Sequence, residues 1–120
     1  MATTLVLKLS HGGDEVERVG QALTVASTAI ASGLGAELWL MGDAVALARP
    51  GVVEGLTLAH SPPLIELWEA VREGGAIYAC TQCLRRRGIA AEELRQGVTQ
   101  AGAPAFVAAL AAEGAQALDF

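Results

Sequence analysis

Short aliphatic runs alternate with longer amphipathic segments along this chain, and glycine-rich turns separate them. Leu5-Val6-Leu7-Lys8-Leu9 reads as a first strand. His11-Gly12-Gly13-Asp14 turns the chain, with Asp14 placed as an N-cap and Glu15 and Glu17 in the first helical turn. A helix is predicted from about Glu15 to Ala31, because Val16, Val19, Leu23, Ala26 and Ile30 recur along one stripe. Ser32-Gly33-Leu34-Gly35 ends it. Glu37 to Met41 is a second strand, and Gly42-Asp43 turns the chain into a short helical segment, Ala44 to Ala48. Pro50-Gly51 opens an irregular stretch.

The second half repeats the alternation. Ser61-Pro62-Pro63 starts a helix, with Ser61 as its cap and proline in the first turn. That helix carries Leu64, Leu67, Trp68 and Val71 and stops at Gly74-Gly75. Ala76-Ile77-Tyr78-Ala79 is an apolar strand, and a helical turn follows it. Ala91 to Arg95 is a short helical piece, Val98 to Ala101 a short strand, and Ala103-Pro104 opens a last helix to about Glu113. Ala115 to Phe120 is the last strand.

Strands that alternate with helices predict an α/β fold: a mostly parallel, about five-stranded sheet covered on both faces. At 120 residues the chain is expected to be one domain spanning 1–120. Right-handed crossovers line up the strand C-termini along one edge, where ligands bind in such folds. His11, Asp43 and Cys80 each follow a strand and are placed at that edge. Trp39 and Trp68 are expected in the core or at a subunit interface.

Composition narrows the partners. A net charge of −5 argues against nucleic acid. No apolar run is long enough to span a membrane, and the first residues lack the basic and apolar regions of a signal peptide. The protein is therefore expected in the cytoplasm, where two cysteines at C-x-x-C spacing suggest reactive thiols over a structural disulfide. His11 and His60 add no compact zinc pattern, so neither metal nor cofactor is expected.

The chemistry concentrates in Tyr78-Ala79-Cys80-Thr81-Gln82-Cys83-Leu84-Arg85-Arg86-Arg87-Gly88. Cys80 falls where a strand gives way to a helix. Backbone N–H groups at a helix start, together with nearby guanidinium groups, would lower a thiol pKa and populate the nucleophilic thiolate. Cys83 lies one turn later on the same face and is a candidate resolving thiol, with helix packing as the alternative. Arg85, Arg86 and Arg87 are candidates for holding an anion or an acidic partner, against a solvated helix end as the plainer reading. His11 is a candidate base or donor near the thiol, against a backbone-bonded turn residue. His60 reads as surface loop.

These residues resemble the DsrE/DsrF-like family. The matching features are the opening strand with His11-Gly12-Gly13-Asp14, the alanine-rich helix ending in Gly33, the turn at Gly42-Asp43, Glu73-Gly74-Gly75, and Tyr78 to Cys83 leading to Arg87-Gly88-Ile89. The resemblance implies a three-layer α/β fold and homotrimers or homohexamers. It also implies a small sulfur-handling protein, a sulfur carrier or sulfurtransferase, that accepts persulfide sulfur at Cys80 from a donor protein and yields it to an acceptor thiol. Two other readings stand beside it. One is a thiol-disulfide oxidoreductase using Cys80 and Cys83. The other is a non-catalytic oligomeric binding module whose cysteines only pack.

Overall fold

A computed structural model describes residues 2–120. The aliphatic runs become five strands: β1 (Thr4–Leu9), β2 (Gly35–Leu40), β3 (Ala76–Cys80), β4 (Val98–Ala101) and β5 (Ala115–Asp119). Four α-helices lie between them: α1 (Val16–Ala31), α2 (Leu64–Gly74), α3 (Thr81–Arg86) and α4 (Ala103–Ala111). Every strand pair is parallel, and the order across the sheet is β4-β3-β2-β1-β5. Parallel neighbours need crossover connections, and the right-handed rule fixes their side. The chain steps one way from β1 to β4, which puts α1, α2 and α3 on one side. It then returns past the whole sheet to β5, which puts α4 on the other. The result is the three-layer α/β fold that the alternation predicts.

The register builds the core. Leu7, Leu38 and Ile77 stand side by side across three strands, as do Leu9, Leu40 and Ala79. All six are buried, together with Val19, Leu23 and Ala26 of α1 and Leu64, Trp68 and Val71 of α2. Trp68 is completely enclosed, and the Arg95 guanidinium lies over its ring at 5.5 Å from the centroid. Arg95 is held there by a two-pronged bond to Glu54, at 3.0 and 2.7 Å, which holds the Glu54 carboxyl below its usual range. Between α2 and β3, a side chain on Gly75 would collide with the Ala36 carbonyl oxygen of β2, so the helix can stop against the sheet only with glycine there.

The other sheet face carries aromatic residues. Trp39 of β2 stacks on Tyr78 of β3 with centroids 4.2 Å apart, and Phe106 of α4 tilts against Trp39 at 5.1 Å. Trp39 donates its indole N–H to Glu37 at 3.1 Å. Both tryptophans are thus in the interior.

Two expected caps are corrected. Asp14 does not cap α1: it lies inside a 3₁₀ turn, Gly13–Glu15, that precedes the helix, and no side chain caps the start. Ser61 does not cap α2 either. Its hydroxyl donates to the Pro62 carbonyl at 2.8 Å, and Pro63 is the residue before the helix. The proline pair sets an extended entry that carries Ser61 too far from the first helical N–H groups. Gly42–Ala48 and Ala91–Glu93 form 3₁₀ helices, and α4 ends at Ala111, two residues earlier than expected.

Candidate functional site: a cysteine pair where β3 meets α3

Cys80 is the last residue of β3 and the extended residue (φ −64°, ψ 122°) from which α3 begins. The helix is short because its end is fixed by glycine. Gly88 takes φ +64°, which lets its N–H reach the Arg85 carbonyl at 3.1 Å and the Ile89 N–H reach Leu84 at 3.0 Å. Ile89 and Leu84 then enter the core and pull the helix against the molecule. Cys83 goes with them and is only 8% exposed, whereas Cys80 is half-buried at the surface of the site. Both thiols are free.

The two sulfurs interact, and this changes the ionisation expected of Cys80. Burial is the largest influence on it and pushes the thiol pKa up, and the Cys83 sulfur pushes it further in the same direction. The backbone N–H groups of Gln82 and Cys83 act downward, as the helix start predicts, but they are outweighed. Cys83 is shifted the other way. Burial acts to raise it, but the hydrogen bond from Cys80, a bond from the Gly42 backbone, and the charges of Arg86 and Arg87 together hold it below the ordinary thiol value. The expected low-pKa Cys80 is therefore corrected: beside Cys83 and under burial, the Cys80 thiol is held above the ordinary value and the Cys83 thiol below it.

A test follows from the causes. In Cys83→Ala the neighbour that raises Cys80 is gone while the Gln82 N–H remains. The apparent pKa of Cys80, read from iodoacetamide alkylation rate against pH, is expected to fall relative to the wild type. A rise or no change would show that Cys83 does not govern Cys80.

The arginines separate into two kinds. Arg87 donates to Asp43 Oδ1 through Nη2 at 2.8 Å and through Nε at 3.3 Å, and to the Cys83 carbonyl at 3.1 Å. It ties the turn after β2 to α3, so its guanidinium is engaged within the fold. Arg85 and Arg86 are exposed and form no ion pair among the described residues. His11 turns away from the thiols: its Nδ1 lies 3.3 Å from the Phe120 carbonyl, beside β5. Adjacent strands are about 4.8 Å apart, so β1 stands about 10 Å from β3 with β2 between them. The backbone-bonded reading of His11 is the one the fold gives.

Gly42 and Asp43 are the site residues that sequence reasoning undervalued. Asp43 reads as a turn residue, and it is also the partner of Arg87. Gly42, at φ +54°, supplies a backbone bond to Cys83. Their place directly after a strand, on the edge where ligands collect, was the available signal. Among the described residues no three His, Cys, Asp or Glu side chains converge as a metal site would require, and no helix is long and apolar enough to cross a membrane.

A parallel five-stranded sheet with a thiol pair at the carboxyl end of its third strand defines a cysteine-bearing α/β protein of the three-layer kind. The family model for the DsrE/DsrF-like family matches residues 5–120, and the chain belongs to that family. The fold is similar to that of the ychN protein from E. coli (20% identity, TM-score 0.69, all of both chains covered). It is also similar to MTH1491, a protein of unknown function from Methanobacterium thermoautotrophicum (16% identity, TM-score 0.74, 98% of this chain and 99% of that one). A conserved protein of unknown function from Bacteroides thetaiotaomicron is similar at 17% identity and TM-score 0.60, with 98% of this chain and 94% of that one covered. No curated protein matches the sequence.

Proposed function

We propose that this protein receives persulfide sulfur on Cys80 and passes it to an acceptor thiol. The observation that carries the reading is the interacting pair itself: a half-buried Cys80 that a donor can reach, backed by an enclosed Cys83 that is the more acidic of the two. Family membership supports a sulfur-relay type of role. In the loading step the Cys83 thiolate takes the proton of Cys80. The Cys80 sulfur attacks the outer sulfur of a donor R–S–SH, the donor S–S bond breaks, and R–S⁻ leaves. The products are Cys80–S–SH, Cys83–SH and the donor thiolate, so atoms and charge balance and no external oxidant is needed. Unloading reverses the roles, with an acceptor thiolate attacking the outer sulfur. Arg85 and Arg86, which form no ion pair among the described residues, offer positive charge to the anionic sulfur or to an acidic surface on the donor protein.

A second reading has its own support. The hydrogen bond between the two thiols also suits a dithiol couple, in which Cys83 attacks sulfur-loaded Cys80, forms the Cys80–Cys83 disulfide and expels hydrosulfide. Intact mass after exposure to a persulfide donor separates the two. A carrier gains one sulfur atom, and a dithiol couple loses two hydrogens.

The reading extends to assembly. Val107 and Leu110 of α4 are 59% and 37% exposed, and Leu118 of β5 is exposed nearby in sequence to that helix. Apolar side chains left open on an edge strand and its covering helix favour association between copies. Light scattering at micromolar concentration is expected to give the mass of a homotrimer or homohexamer. A monomer at that concentration would remove assembly from the proposal.

A further inference from the structure

A cavity lies apart from the cysteines, and the thiol chemistry makes no use of it. It measures about 540 Å³ and opens between the flank of α1 and the loop that leads into α2, with Phe120 among its lining residues. That volume is in the range that holds small organic ligands. Its position also fits the fold. The crossover leaving β1 runs over one sheet face, while β5, on the other side of β1, is reached from α4 on the opposite face. The chain direction therefore switches between β1 and β5, and ligands collect at such switch points along the carboxyl edge.

The walls have been shaped at some cost. Gly20 sits inside α1, where glycine is unfavourable by about 1 kcal/mol against alanine. A Cβ there would press on Leu58 Cδ2, the movable tip of that side chain, so glycine gives Leu58 room to lie in its present position against the helix. His60, in the same wall, is the one non-glycine residue with positive φ among the described residues, at 58°. A strained residue in a cavity wall is a mark of functional sites. Phe120 is fixed by its backbone: its N–H donates to Lys8 at 2.8 Å, and its carbonyl accepts from Ser10 at 3.2 Å.

The lining selects by charge. Val25, Leu58 and Phe120 give apolar surface, and Gln21, Thr24 and Ser61 give neutral hydrogen-bonding groups. Glu17 is the one acidic side chain, and no lysine or arginine lines the cavity. We infer that this cavity binds a small organic cation, an aryl- or alkylammonium whose apolar body lies on Leu58 and Phe120 and whose ammonium group faces Glu17. An anion of the same shape would meet the carboxylate with no lysine or arginine in the lining to offset it, and His60 is the one basic side chain there.

The test uses the full chain and three probes of one shape: phenethylamine, 2-phenylethanol and phenylacetate. Amide shifts in ¹⁵N-labelled protein would be followed during titration. Phenethylamine is expected to move the Gly20, Thr24 and Ser61 resonances saturably and to bind about ten-fold tighter than phenylacetate, with the alcohol between them. Glu17→Gln, a change at an exposed position, is expected to bring the three probes within about two-fold of one another. Thr24→Trp, also exposed, fills the cavity and is expected to abolish the shifts while the circular dichroism spectrum stays unchanged. Equal binding of amine and acid, shifts centred away from these residues, or no saturable shift with any probe would overturn the assignment.

Discussion

Cys80→Ser is expected to abolish sulfur loading, while Cys83→Ser still gains one sulfur atom from a persulfide donor. The difference follows from burial and from what each step needs. Cys83 is enclosed between α3 and the turn after β2, so a donor persulfide on another protein cannot reach it in line. Cys80 can be reached, and no other thiol in the chain replaces it. Cys83→Ser removes a proton acceptor, which would slow the reaction. It also removes the group that raises the Cys80 pKa, which increases the Cys80 thiolate at neutral pH. The two effects oppose each other, so loading survives with its pH dependence moved toward lower pH. Removal of a positioned base typically costs about 10²-fold or more in rate, so the extent of loading, and not its initial rate, is the quantity to compare. Intact mass spectrometry of both variants after equal exposure to glutathione persulfide reads the result. Loss of loading in both variants, or sulfur on Cys83, would sink the carrier scheme and favour the dithiol couple.

Trp68→Ala is expected to cost about 3–5 kcal/mol of folding stability, a large share of what a domain of this size has. The side chain has no exposed surface, and α2 packs through it onto the sheet. Its removal leaves a cavity and frees Arg95, which lies over the ring and anchors Glu54. Trp68→Phe is the informative control. The indole N–H of Trp68 is buried without a hydrogen-bond partner among the described residues, a condition that itself costs free energy. Phenylalanine removes that donor while keeping much of the apolar volume, so its cost is expected to stay near about 1 kcal/mol. Thermal melts at one fixed protein concentration are expected to show a drop of about 10–20 °C for the alanine variant and a few degrees for phenylalanine. If the two variants melted together, the stabilisation would lie in the indole edge and not in buried volume.

Much of this architecture could be read along the chain, because the signals are local. Aliphatic runs of four to six residues bounded by glycine specify strands, and the stripe from Val16 to Ile30 specifies α1. Their alternation specifies a parallel sheet, and the strand-to-helix position of Cys80 follows from the same pattern. Gly33 ends α1 as its position predicts, and Gly88 ends α3 in the same way, since each takes positive φ just past the last turn. Caps were less legible. Asp14 and Ser61 have the right chemistry, but the turn geometry around them, a 3₁₀ turn in one case and two prolines in the other, carries their side chains away from the helical N–H groups.

The thiol site divides along the same line. Spacing alone put Cys80 and Cys83 one helical turn apart, and composition alone put three arginines beside them. Only the tertiary structure decided which thiol is the more acidic. That order depends on Gly42, thirty-eight residues before Cys80, delivering a backbone bond to Cys83, and on the depth to which Leu84 and Ile89 draw α3 into the core. It likewise decided that Arg87 pairs with Asp43 while Arg85 and Arg86 form no ion pair among the described residues, and that His11 lies beside the Phe120 carbonyl. Each of these is a contact between segments distant in sequence. Hydrophobic periodicity fixes elements one at a time, whereas ionisation and ion pairing depend on what the finished fold brings within a few ångströms of each group.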